Sequence, residues 1–413
     1  MDKHILVISQ YFFPEQFRIN DMCEEWVKRG NKVTVVTGIP NYPNGKFYQD
    51  YGLLKKRHEN YRGINIIRLP IIPRGNNSIM LVLNYLSFVI SGFFWQTFTK
   101  IKADKVFIFE VSPMTQALPG VWYAKKNEIP CYLYVQDLWP ENVEIMTGID
   151  NKTIIGMISK MVDYIYKNSF KIFTTSERFK KAICDRNVPT EKVEYWPQYA
   201  EELYKPVKRK KIPEMKCTNE ATFNIVFAGN IGNAQGLDIL PKTAKILKEK
   251  NKITKICFNI IGDGRYKETL IELVKENKVN NMFNFIPKQP ASRVPEFLAA
   301  NDAAFICLTD NPLFEMTIPA KLQSYLACGI PIIASASGEI SKIIKEANVG
   351  VSSPPGDETK LAEAIKNMLN KTNNEIMELG INAKRYSDVN FNKKILMDQM
   401  DNYFKQNDTM EES

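Results

Sequence analysis

Glu315 and Lys321 stand on either side of Pro319 in the stretch DNPLFEMTIPAKLQSYLACGIPIIASASGE, residues 310–339. Proline suits the first turn of a helix, because its missing N–H would be unpaired there and its φ is already helical. The helix is therefore expected to start near Ile318, with the backbone of Thr317, Ile318 and Pro319 at its open end. Free N–H groups at such an end attract anions. A carboxylate, a cation and an amide-lined helix terminus together suit a ligand carrying both phosphate and hydroxyl groups, and nucleotide sugars fit that description.

Leu322, Tyr325 and Leu326 recur at helical spacing behind Pro319, Gly329 stops the helix, and residues 330–334 read as a buried strand. A second place for phosphate is the turn Gly229-Asn230-Ile231-Gly232 with Gly236 beyond it. It joins a strand at 223–228 to a helix from about 237 to 248, so its backbone N–H groups can approach a diphosphate closely. In the first half, strands at 106–109 and 130–135 deliver polar residues at their carboxyl ends: Glu110 and Ser112 from one, Gln136, Asp137 and Glu141 from the other. Strand ends are where α/β sheets bind ligands. Asp137 is the strongest acidic candidate there, either as a group facing a ligand or as a carboxylate capping the turn that follows.

A chain of 413 residues with 44% apolar content supports two or three domains with sizeable cores. The βαβ pattern opens with strands at 5–8 and 33–37, breaks at VKRKKIPEMKCTNEA, residues 207–221, and restarts at 223. The expected organisation is an N-terminal domain over 1–206, a linker over 207–221 and a second α/β domain over 222–385. Arg18, in the first turn-rich loop, either reaches into the ligand side of the sheet or is solvated. Seven scattered Cys without C-x-x-C pairs argue against a disulfide framework and a zinc site, and the apolar run 5–8 is too short for a signal peptide. Cytoplasm is the expected compartment.

The net charge of +9 suits nucleic acid, anionic lipid or an anionic substrate. No nucleic-acid-binding motif appears, so no nucleic acid is expected as a partner. Residues 79–95 are strongly apolar, with Asn84, Ser87 and Ser91 forming one thin polar stripe. Two readings stay open: a helix mostly buried on the first sheet, or an interfacial helix beside Arg74, Lys100 and Lys102 that gives peripheral contact with the inner face of the cytoplasmic membrane.

The stretch around Glu315 resembles the E-x7-E region of family 4 glycosyltransferases, which have the GT-B fold of two Rossmann-like doubly wound domains facing a central cleft. PEQFRIND, TGIPNYPNG and VQDLWPEN further resemble the first domain of N-acetyl-L-fucosamine transferases of O-antigen and colanic-acid assembly. The resemblance implies a UDP-sugar donor on the second domain and a lipid-linked saccharide acceptor on the first. It implies retention of anomeric configuration without metal or other cofactor, and a C-terminal helix, 386–413, packing back on the first domain. It assigns Glu315 to the donor sugar, Gln323 to the ribose, Ile286, Pro287 and Lys288 to the base, and Gly229, Asn230, Gly232 and Gln235 to the diphosphate. Arg18 and Glu141 fall to the acceptor side. The chain departs from the family in having Gln323 where a second Glu is usual, and Asn230 and Gln235 where an Arg and a Lys are usual. Lys321 then becomes the expected phosphate cation, with Arg265 and Lys267 as alternatives. Asp137 is the candidate to take the acceptor proton if the reaction inverts. A UDP-sugar 2-epimerase and a catalytically silent nucleotide-sugar-binding protein are the competing functions.

Overall fold

Uninterrupted apolar runs flanked by helical segments form strands covered on both faces, and two such sheets organise the chain. The computed structural model describes residues 3–143, 148, 151–215 and 222–410. It divides into two compact units, Met1–Trp196 and Pro197–Ser413.

The first unit is built on an eight-stranded sheet comprising β1 (His4–Ile8), β2 (Lys32–Gly38), β3 (His58–Tyr61), β4 (Ile64–Leu69), β5 (Lys105–Glu110), β6 (Cys131–Val135), β7 (Lys171–Thr174) and β8 (Val193–Tyr195). Their order is β3-β4-β2-β1-β5-β6-β7-β8, parallel except for the antiparallel β3–β4 edge. The order reverses between β1 and β5, which pair from Ile5–Lys105 to Ile8–Ile108. Trp26, from the Arg18–Lys28 helix, packs edge-on against Phe107 with centroids 4.9 Å apart. The helix at Ser78–Phe98 is longer than expected.

In the second unit β9 (Phe223–Asn230), β10 (Ile256–Asp263), β11 (Phe283–Ile286), β12 (Ala303–Cys307), β13 (Ile332–Ser335) and β14 (Gly350–Ser353) run in the order β11-β10-β9-β12-β13-β14. All their pairs are parallel. This is the doubly wound arrangement whose ligand crevice lies where the order reverses, here between β9 and β12. These two strands pair at Ile225–Ala303 and Val226–Ala304. Beyond that, Tyr325 fills the gap: its hydroxyl accepts from the Ala228 N–H at 2.9 Å and donates to the Ala228 carbonyl at 3.2 Å. Phe227, Phe258, Leu240, Leu270 and Phe305 belong to the core of this unit.

Three boundaries differ from the sequence reading. The helix after Pro319 runs Ala320–Ala327, because Pro319 keeps an extended ψ of 141° and is the residue before the first turn. The units divide after Trp196, earlier than residue 206. The basic segment expected to be a linker is anchored to the second unit over its described part: Ile212 and Met215 are buried, the Glu214 carbonyl accepts from Asn284, and its carboxylate pairs with Arg293 at 2.8 Å. Residues 216–221 of that segment lie outside the described residues. The final helix spans Lys393–Met410.

Candidate functional site

The carboxyl end of β9 carries the turn Gly229–Gly236. Gly229 has φ +152°, and a Cβ there would lie 3.0 Å from Cε and 3.1 Å from Nζ of Lys321. Only glycine leaves that space, so the Lys321 side chain lies directly on the backbone of the turn. Its ammonium donates to Gln235 Oε1 at 2.8 Å and sits 3.6 Å from the centroid of the Phe227 ring. Burial of the ammonium pushes the lysine down from 10.5 to about 7, and no carboxylate among the described residues offsets it. Neighbouring Cys307 is itself pushed up to about 12 by burial, so it stays a neutral thiol and supplies no counter-charge. The structure thus brings together Gly229, Gln235 and Lys321. Asn230 is exposed beside them, its amide nitrogen 2.9 Å from where a Gly232 Cβ would stand.

Glu315 ends the short Pro312–Glu315 helix. Gly338, at φ +67°, passes so close to it that a Cβ would lie 1.9 Å from the Glu315 carbonyl. Glu339 follows and is buried; the sequence reading did not single it out. The Thr317 hydroxyl donates back to the Leu313 carbonyl at 3.0 Å, and Ile318 is buried. The helix end at Pro319 and Ala320 has no side-chain cap.

Gln323 differs from the open, ribose-facing residue expected. It is buried, its Nε2 donates to the Gln198 carbonyl at 2.7 Å, and its Oε1 is buried with no hydrogen-bond partner. Ile286 is buried at the end of edge strand β11, whereas Pro287 and Lys288 are exposed. Arg265 is exposed, and Lys267 lies 3.9 Å from Asp263.

In the first unit Asp137 accepts from the Ser112 N–H at 2.7 Å, so it holds the β5 loop rather than the turn after itself. The Trp139 indole N–H donates to the Ser112 hydroxyl at 3.1 Å. Glu110 is fully buried, not presented at the strand end, and burial raises its carboxyl well above the usual carboxylate range. Arg18 opens the first helix with Nε and Nη1 buried, which rules out the solvated reading; Glu141 is exposed.

Glu15, Tyr42 and Tyr85 were not singled out in the sequence, although PEQFRIND and TGIPNYPNG contain the first two, and Arg74 was named only beside the apolar run 79–95. Buried Glu15 accepts from the N–H groups of Asn41 and Tyr42 at 2.7 and 2.6 Å, and burial raises it to about 7. Tyr11, Phe17 and Tyr42 form an aromatic cluster, over which Arg74 lies 5.3 Å from the Tyr42 centroid. The buried Tyr85 hydroxyl is within electrostatic reach of Arg74 and Asp137 and is pushed up to about 12. Among the described residues no group of three or more His, Cys, Asp or Glu could hold a metal ion.

The Lys321 and Gly229 constellation and the Glu315 contact fall inside the segment that relates this chain to known proteins. Residues 208–386 match the family of glycosyl transferases group 1. WcaI of Escherichia coli K12, named as a glycosyl transferase of colanic acid biosynthesis, is 24% identical over 82% of this chain and 85% of its own length. Sucrose-phosphate synthase from Thermosynechococcus elongatus superposes with a TM-score of 0.73 at 17% identity, over 99% of this chain and 100% of that one. HepE of Anabaena, solved with UDP-glucose, gives 0.68 at 14% identity over 98% and 100%. In fold, the two α/β units with their largely parallel, Rossmann-like sheets match GT-B glycosyltransferases.

Proposed function

We propose that the protein is a glycosyltransferase of bacterial surface polysaccharide synthesis, moving a sugar from a UDP-sugar bound on the second unit to a lipid-linked saccharide bound on the first. The observation that carries this reading is the Lys321 ammonium, laid against Gly229 and bonded to Gln235 at the reversal point of the second sheet. A departing nucleoside diphosphate needs donors aimed at its phosphate oxygens. Lys321, the N–H groups of Gly232, Asn233 and Ala234 in the turn, and the N–H groups at the uncapped start of the Ala320–Ala327 helix supply them without a metal. Glu315 then accepts hydroxyls of the donor sugar, an N-acetylated amino sugar such as N-acetyl-L-fucosamine. Ile286, Pro287 and Lys288 border the base. Retention follows if the leaving phosphate takes the acceptor proton, with Asp137 ordering the acceptor loop through Ser112.

The similarity to a colanic acid transferase supports a polysaccharide product, and the UDP-glucose complex of HepE supports the donor class. The test is UDP release from UDP-sugars with and without lipid-linked acceptors. Acceptor-dependent release is the expected result. An epimerised UDP-sugar formed without acceptor, or binding without turnover on any acceptor, would overturn the reading.

A further inference from the structure

The Ser78–Phe98 helix presents its faces in the reverse of the usual order. Its polar residues point inward: the Asn84 amide donates to the Ile72 carbonyl at 2.6 Å and accepts from Gln10 at 2.7 Å, Ser87 accepts from the Ile72 N–H at 2.9 Å, and Ser91 donates to the Pro70 carbonyl. The outward stripe is Ile79, Leu83, Leu86, Ile90, Phe94 and Phe98, spaced by three or four residues, with Ile79 73%, Phe94 57% and Phe98 75% exposed. An exposed apolar surface of this extent marks an interaction site. The helix is long and apolar enough to cross a bilayer, but its polar stripe is bonded to the first unit along its length, so it can lie in a membrane surface and not across it.

We infer that this face docks on an anionic lipid bilayer, an inference that deepens the lipid-linked acceptor reading but rests on its own observations. The Ser78–Phe98 helix contains no acidic or basic residue. Trp122, from the Leu118–Asn127 helix, meets Phe93 edge-on at 5.7 Å, which extends the apolar surface. Lys125 and Lys126, three and four residues after Trp122, share its side of that helix, and both are exposed. Exposed Lys100 and Lys102 follow the stripe directly. An apolar strip bordered by lysines complements a bilayer with negative headgroups. A second copy of the chain would bring the same lysines against each other, which disfavours a dimer through this face.

The test uses the full chain with vesicles of equal parts phosphatidylcholine and phosphatidylglycerol, in a flotation assay. Binding is expected at low salt, weakening as salt rises. Phe94→Ser combined with Phe98→Ser, both at exposed positions, should weaken it by about tenfold or more. Lys100→Gln, Lys102→Gln and Lys125→Gln should each cost roughly fivefold. UDP affinity should be unchanged in all of these variants, so a failed donor reading and a failed docking surface are told apart. Wild-type protein that does not bind these vesicles at low salt would overturn the inference. So would a concentration-dependent dimer that the double serine variant abolishes, because the face would then belong to a second copy.

Discussion

Lys321 permits the sharpest test of the donor site, because its protonation and its proposed role are linked. A lysine held at about 7 instead of 10.5 reflects a desolvation cost with an upper bound on the order of 5 kcal/mol, each pKa unit being worth about 1.36 kcal/mol. The ligand-free protein therefore carries this lysine only half charged near neutrality. A diphosphate placed against the ammonium favours the charged form, so the pKa rises on binding and the complex takes up a proton. Affinity for UDP should then be highest below about pH 7 and fall as pH rises, by about fiftyfold between roughly pH 7 and 9 if the bound lysine stays charged throughout. Near pH 8 uptake should approach about 0.9 proton. Calorimetry in two buffers of different ionisation enthalpy measures it directly.

Lys321→Met keeps the length and removes the charge. A charge-assisted hydrogen bond is worth roughly 1.5–3 kcal/mol, so this variant should bind UDP about tenfold or more weakly at neutral pH and lose the pH dependence. The ligand-free fold supplies an independent sign. With the native pKa depressed, the unfolded chain binds more protons between about 7 and 10.5, so this lysine makes stability rise with pH across that window. Lys321→Met should remove that rise. Unchanged UDP affinity in Lys321→Met would refute the assignment and move the phosphate contact to exposed Arg265. Buffer-independent enthalpies would show that the lysine is already charged before UDP arrives.

Gly229→Ala should lower the melting temperature and weaken UDP binding together, because the new Cβ meets Lys321 at 3.0 Å in a backbone region costing roughly 1–3 kcal/mol; normal UDP affinity would separate the turn from the site. Glu315→Ala should abolish most turnover while UDP, which lacks the sugar, still binds, and near-normal turnover in a transfer assay would reject its contact with the sugar. Gln323→Glu sets a carboxylate against the Gln198 carbonyl that Nε2 now serves, so a stability loss of roughly 1–3 kcal/mol is expected in urea unfolding; an unchanged midpoint would mean that this contact does not hold the side chain. Asp137→Asn retains an oxygen for the Ser112 N–H, so the fold should persist; transfer that survives intact assigns Asp137 to loop positioning, and a loss of about two orders of magnitude assigns it to proton transfer.

The parallel strands nearest the middle of each sheet were largely legible because, buried on both faces, they read as apolar runs, and the glycine turn after β9 reads as a strand-to-helix connection; β3, β4, β8, β10 and β14 were not read as strands. The start of the Ala320–Ala327 helix was less so, since the φ of −71° at Pro319 fits either side of the boundary and the extended ψ is set by packing. Periodicity separated the polar from the apolar stripe of Ser78–Phe98 but could not say which one faces the protein. That depends on backbone groups at Pro70 and Ile72 that have no other partner in view from the sequence. Glu15 was hidden for a related reason. A glutamate in a turn-rich loop reads as solvated until the N–H groups of Asn41 and Tyr42 converge on it.

The inward polar stripe also ties the outer face of that helix to the loops of the first sheet. Burying amides and hydroxyls costs free energy unless they are paired, and here each is paired to segment 70–72 or to Gln10. Segment 70–72 leads directly to Arg74, whose N–H donates to Asn41 Oδ1 at 2.9 Å, and Asn41 in turn donates its own N–H to Glu15. Arg74, Glu15 and the aromatic cluster of Tyr11, Phe17 and Tyr42 are therefore positioned by the same helix whose opposite face is apolar and exposed. A bilayer seated on that face would stand at a fixed depth from Arg74, a cation suited to the phosphate of a lipid-linked saccharide. Loosening the stripe, as Asn84→Ala would, should weaken acceptor use without touching UDP affinity, because the disturbed bonds lie in the first unit and Lys321 in the second.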